Sequence, residues 1–300
     1  MEKDHRVFCP VVSYYMKSAD AMVCEEVPMK KSVRWFIRIG VIMVCLIVGW
    51  LRACSLQVSS GDLYGTKARY VALGDSIAHG YGLENPSKES YVALVHQYLD
   101  SRYDTVFCSN LGVDGQTSAQ LLARLSDESN QWYAKYTSTL KNADYVTISI
   151  GSNDLLHLIE LNGNMAEYIE RGDAEFREAC ETFAQNFQKI VLRIHELSPN
   201  AMILANNVYN PCYSMKVFAS VAGAADEYIT LLNEGLNESE NIIIVDVKSV
   251  IDDPQEHLLN VTMKGRELDP HPNREGHRKI AETVIEKIEK AENPDLTVHE

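Results

Sequence analysis

The chain has 300 residues, 46% apolar and 23% charged, the composition of an ordinary globular protein with room for one well-buried domain and an appendage. Its formal charge is −14, and the 20 basic and 37 acidic residues after position 55 leave −17 on residues 56–300, which argues against nucleic-acid binding and against electrostatic docking on anionic lipid. The seven cysteines, at 9, 24, 45, 54, 108, 180 and 212, form no CxxC pair and no His/Cys grouping at metal-ligand spacing, so neither a zinc site nor a disulfide framework is expected. Cys108, Cys180 and Cys212 lie in or beside apolar stretches and read as buried free thiols, with one bridge among them as the alternative.

Residues 1–28 lack periodicity and precede Met29-Lys30-Lys31, which resembles the start of a signal peptide; they read as a non-native or unstructured extension. Ile39 to Leu51 is a run of thirteen apolar or small residues behind Lys30, Lys31, Arg34 and Arg38, short for a spanning helix and suited to a signal h-region. Residues 29–55 are therefore expected to be a signal peptide or membrane anchor. Cleavage after Ser55, lipidation at Cys54 and a retained anchor through residues 35–52 all stay open, and each places the remainder outside the cytoplasm.

After a polar linker, residues 56–67, short β-branched runs alternate with helical patterns over 68–300. Strands are predicted at Arg69–Leu73, Thr105–Asn110, Tyr145–Ile150, Met202–Asn207 and Ile242–Val247, five buried strands of a parallel sheet. Between them, Ser87 is expected to cap a helix carrying Tyr91, Val92, Val95 and Leu99, and Thr117-Ser118-Ala119-Gln120 has the capping-box pattern. Longer helices are predicted over Ala174–Leu197, Ala219–Leu236 and from Asn273 onward, giving an α/β three-layer α/β/α sandwich with a five-stranded parallel sheet. Leu155–Arg171 and Ile251–Leu268 read as long connections of the kind that shape or cover a site.

Chemistry-bearing residues collect at the strand ends. The first strand runs into Gly74-Asp75-Ser76, presenting a serine at the carboxyl end of a parallel strand, where such sheets bind ligands. The second leads to Gly115, just before a capped helix, where a glycine can bring its N–H close to a ligand oxygen or simply make a turn. The third leads to Gly151-Ser152-Asn153-Asp154, offering the Asn153 amide to a developing negative charge or as a cap, with Asp154 holding loop amides. Beyond the fifth comes Asp269-Pro270-His271-Pro272-Asn273. Its prolines bias Asp269 and His271 toward extended backbone, in which residues two apart point to one side, so Asp269 can reach the imidazole. His277 reads as a surface or packing residue.

These ordered blocks, Gly74-Asp75-Ser76, Gly115, Gly151-x-Asn153-Asp154 and His271-Pro272-Asn273 with Gly276, resemble the SGNH hydrolases, also called GDSL esterases/lipases, over residues 68–290. The stretch Asn206–Pro211 is similar to that family's substrate-side loop. The resemblance implies a flavodoxin-like SGNH fold and a cofactor-free and metal-free serine hydrolase of carboxylic esters. It implies Ser76 as nucleophile, His271 as general base, and the Ser76 and Gly115 N–H groups with the Asn153 side chain as oxyanion hole. The family's aspartate commonly sits three residues before the histidine, a position occupied here by Leu268; Asp269 is the expected acid, with Glu267 or a backbone carbonyl as alternatives.

The implied partner is a small-molecule or lipid ester, and Leu155, Leu156, Leu158, Ile159 and Leu161 either line an acyl pocket or pack a helix on the core. Three other readings use the same residues: a carbohydrate O-acetyl esterase, a non-catalytic cell-envelope binding module, and a metal-dependent hydrolase using Asp269, His271 and His277.

Overall fold

The strand pattern folds as a single sheet whose two faces take alternate residues of each strand. The computed structural model describes residues 66–162, 174–215, 218–260 and 269–293, all within one compact unit of residues 61–300. The expected extension, signal or anchor segment and most of the linker lie outside the described residues.

The strands are β1 (Lys67–Gly74), β2 (Thr105–Gly112), β3 (Tyr145–Ser149), β4 (Met202–Asn206) and β5 (Ile243–Val245). They form one parallel sheet in the order β2-β1-β3-β4-β5. In this doubly wound order the connections leaving β1 and β3 diverge, and the crevice between the carboxyl ends of those two strands is where a ligand site belongs.

The helices are α1 (Ser76–His79), α2 (Pro86–Glu89), α3 (Tyr91–Asp100), α4 (Ser118–Ser126), α5 (Tyr133–Leu140), α6 (Ser152–Asn162), α7 (Ala174–Leu197), α8 (Ala222–Asn237), α9 (Val247–Ile251) and α10 (Arg274–Glu292). Val71, Leu73, Val146, Ile148, Ile203 and Ala205 face α4, α5, α7 and α8. Ala68, Tyr70, Ala72, Leu204 and Val245 face α3, α9 and α10. The apolar stripe of α7, Phe176, Cys180, Phe183, Phe187, Ile190 and Ile194, recurs every three or four residues and is buried throughout.

Several expectations are corrected in detail. Not all five strands are buried: β2 is an edge strand with alternating exposed residues, and β5 is a short opposite edge. Ser87 does not cap the helix over Tyr91–Leu99. It lies inside α2, where its Oγ donates to Asn85, and Ser90 caps α3 by accepting from the Ala93 N–H at 3.2 Å. Residues 152–162 are helical, so the predicted connection Leu155–Arg171 begins as α6, with 163–173 outside the described residues. The capping box at Thr117/Gln120 is present in both directions. Cys108, Cys180 and Cys212 are free thiols, the last two buried and Cys108 half-buried.

Candidate active site

The carboxyl end of β1 makes a turn that only glycine fits. Gly74 has φ 136°, and a Cβ there would stand 1.9 Å from the Ser149 carbonyl oxygen of the neighbouring strand. The chain turns at once into α1, with Asp75 as its N-cap accepting from the Ile77 N–H at 2.9 Å. Ser76 is the first residue of that helix. Its Oγ stands on the floor of a cavity, and its N–H is one of those a helix leaves without an intrahelical partner.

His271 arrives from the opposite side on a clamped loop. Asn260 donates its N–H to the His271 carbonyl (2.8 Å), Asn273 donates its own to Leu258 (2.9 Å), and Leu259 pairs with Pro272 in an antiparallel bridge. The Asn273 side chain also caps α10, accepting from Gly276 N–H at 2.9 Å. Tyr209, buried after β4, donates its hydroxyl to the Pro270 carbonyl at 2.8 Å. These bonds hold His271 Nε2 at 2.8 Å from Ser76 Oγ and His271 Nδ1 at 2.6 Å from Asp269 Oδ1. The same Asp269 oxygen accepts the His271 backbone N–H at 3.0 Å.

On the other side of Ser76, Gly115 adopts φ 71°, and nothing lies within 4 Å of where its Cβ would stand, so its backbone is open to the cavity. Asn153, at the start of α6, also lines the cavity; its Nδ2 donates to the Gln116 carbonyl at 3.1 Å, which fixes the amide and leaves its second N–H. Asp154 accepts from both the Ser118 N–H (3.0 Å) and the Ser118 hydroxyl (2.5 Å), tying the start of α4 to α6 and setting the spacing of Gly115 and Asn153. Burial raises the Asp154 carboxyl above its ordinary value, the Ser118 bonds pulling the other way.

The structure thus brings Ser76, His271, Asp269, Gly115 and Asn153 to one place. Leu268 and Glu267 lie outside the described residues. His277 is not on the surface: it is fully buried in α10, stacked on Tyr91, and accepts the Tyr91 backbone N–H on Nδ1 at 3.2 Å. It does not line the cavity, as His271 does. Among the described residues no group of three or more His, Cys, Asp and Glu side chains is placed to hold a metal ion, and no helix is long and apolar enough to cross a membrane.

The cavity encloses about 500 Å³ and runs from Ser76 between α6, α7, α8 and the segment after β4. Leu155, Leu156, Phe176, Met215, Phe218 and Ile229 line its apolar part. Leu158 instead packs on the core, and the Ile159 and Leu161 side chains are outside the described set. Sequence reasoning missed Tyr81 and the His79–Asp114 pair (2.8 Å) near the Ser76 end, and Phe176 and Tyr228 stacked 4.6 Å apart deeper in. Lone aromatic and charged residues on separate elements leave no spacing signal for such a convergence.

A doubly wound parallel sheet with serine, histidine and aspartate hydrogen-bonded in series at its switch point defines an α/β protein with a candidate hydrolytic site. The chain matches the GDSL-like lipase/acylhydrolase family over residues 72–279 and belongs to it, which makes it a carboxylic ester hydrolase. It is 27% identical over 264 residues to the uncharacterized protein YpmR of Bacillus subtilis (strain 168), covering 85% of this chain and 97% of that protein. Its fold is similar to the lipase Lip_vut3 from a goat rumen metagenome (TM-score 0.56, 23% identity, 73% of this chain and 97% of that one). It is also similar to an extracellular lipase from Streptomyces rimosus (TM-score 0.53, 20% identity, 73% and 99%) and to phospholipase A1 from Streptomyces albidoflavus NA297 (0.53, 15%, 73% and 99%). At these identities the structural likenesses concern the fold.

Proposed function

We propose that the chain is an exported serine esterase that cleaves acyl esters of lipid type through an acyl-enzyme on Ser76. The observation that carries this reading is the hydrogen-bonded series Ser76 Oγ, His271 Nε2, His271 Nδ1, Asp269 Oδ1, of which Ser76 and His271 line a largely apolar cavity.

His271, holding its proton on Nδ1 toward Asp269, accepts the Ser76 hydroxyl proton on Nε2 as Oγ attacks the ester carbonyl. The oxyanion forms between the Ser76 N–H, the Gly115 N–H and the free N–H of Asn153, donors fixed before the reaction begins. The imidazolium then gives its proton to the departing alcohol. A water then attacks the acyl carbonyl as it loses a proton to His271, and when the bond between Ser76 Oγ and the acyl carbon breaks, His271 returns that proton to Oγ, releasing the acid and restoring Ser76. Asp269 keeps the tautomer and balances the imidazolium charge.

The apolar lining favours an acyl chain over a bare acetyl group, because each methylene removed from water contributes about 0.8 kcal/mol that a polar pocket does not return. Export rests on the apolar segment Ile39–Leu51 behind its basic flank. Fluorophosphonate labelling tests the catalytic part: the folded protein is expected to label at Ser76, with loss of labelling in Ser76→Ala and His271→Ala. Labelling elsewhere, or none, overturns it.

A further inference from the structure

Tyr81 has no part in the proton transfers just described, yet its ring lies on the imidazole: the Tyr81 and His271 centroids are 4.6 Å apart at 45°. The chain that delivers it is tied to the site at Ser76. It leaves α1 through Gly80, Tyr81 donates its N–H to the Ser76 carbonyl at 3.0 Å, and Gly82 passes beside Asn260 and Asp269, where an added Cβ would stand 2.8 Å from Asn260 Nδ2 and 3.3 Å from Asp269 Oδ2. One short turn therefore starts on Ser76, sets its ring against His271 and passes close to Asp269. The Tyr81 ring lines the cavity mouth while 48% exposed, so core burial does not account for a large aromatic there.

We infer that Tyr81 is a positioning residue for His271: its ring face stabilises the imidazolium that forms as Ser76 attacks, and holds the imidazole plane on Ser76. This rests on the serine-esterase reading above. The ring carries a negative quadrupole on its face, which attracts a cation and is nearly indifferent to neutral imidazole. Its effect therefore appears when the proton moves from Ser76 Oγ to His271 Nε2, and is small in the substrate complex. Such a contribution lowers the barrier without tightening binding. The phenolic hydroxyl is not required.

The test compares Tyr81→Phe, Tyr81→Leu, Tyr81→Ala and Ser76→Ala in the full chain, with p-nitrophenyl butyrate as substrate. Phe is expected to hold kcat within about two-fold. Leu and Ala are expected to lower kcat about five-fold, ~1 kcal/mol at about 1.36 kcal/mol per tenfold, with KM within two-fold and the melting temperature unchanged. Leu behaving like Phe overturns the inference, since apolar cover alone would then suffice. An unchanged kcat in Ala, or a change confined to KM, overturns it as well. Activity that survives in Ser76→Ala overturns the serine reading itself, a failure visible apart from the behaviour of Tyr81.

Discussion

Asp75 stands next to Ser76, the proposed nucleophile, with 1% of its surface exposed, and the pH dependence of stability reports its ionisation. Burial pushes its carboxyl up from 3.8 to about 7; the nearby Asp154 and Asp114 charges add to this, and the Ile77 N–H bond opposes it. Between about pH 4 and pH 7 the native state keeps a proton that the unfolded chain has released, so stability falls as pH rises through that window. His277 works in the opposite sense. Its burial lowers it from 6.5 to about 4, so the unfolded chain binds a proton that the native state refuses, and stability rises with pH over that range. The two largely offset each other.

Asp75→Asn removes the first contribution and leaves the second. Asparagine matches the protonated acid in shape and still accepts from Ile77 as an N-cap. From pH 4.5 to 8 the variant should gain about 3 kcal/mol relative to wild type, from some two and a half pH units at about 1.36 kcal/mol each. Urea unfolding of both proteins at pH 4.5, 6 and 8 measures the difference, in which every other titrating group cancels. A difference that stays constant within about 0.5 kcal/mol across the series would show that Asp75 is ionised throughout and refute the reasoning.

Three substitutions test the proposed chemistry. Asn153→Ala should lower kcat about 100- to 1,000-fold with little change in KM, and a steady-state loss below tenfold would remove the amide from the oxyanion hole. Asp269→Asn should cost about 10³- to 10⁴-fold in kcat with circular dichroism unchanged, because an amide N–H facing Nδ1 selects the wrong tautomer. Ala225→Phe, which fills the cavity from α8, should leave acetyl ester turnover within two-fold while cutting kcat/KM for octanoyl esters at least tenfold; a uniform loss across chain lengths would place the acyl group elsewhere.

The layers and the site's corners were legible because each rests on a local signal: β-branched runs for strands, Thr117/Gln120 for a helix start, and a glycine, asparagine or histidine just past a strand end. Burial of β2 was not legible, since Val106, Cys108 and Leu111 look alike whether a strand is central or at an edge; order in the sheet decides it. Ser87 and Ser90 both have cap chemistry. Pro86 starts the short α2 and ends the ambiguity in favour of Ser90, a choice that depends on chain path. The clamp of Leu258–Asn260 on the His271 loop is made by backbone groups whose pairing no side-chain pattern marks, and the cover by Tyr81 brings together two rings 190 positions apart, which no window of sequence records.

The position of the proposed acid departs from the family spacing, yet it still meets the histidine ring. The family's usual aspartate lies three residues before the histidine, and Asp269 lies two before His271. Pro270 fixes the intervening φ near −65° and supplies no N–H, so the Asp269 carboxylate folds back along the chain to meet the His271 backbone N–H at 3.0 Å and Nδ1 at 2.6 Å with one oxygen. The Pro270 carbonyl is taken by the buried Tyr209 hydroxyl at 2.8 Å. This turn therefore carries its own brace. The ring is aimed by a two-residue turn that cannot slip without breaking the backbone bond as well, because one Asp269 oxygen holds both the His271 N–H and Nδ1.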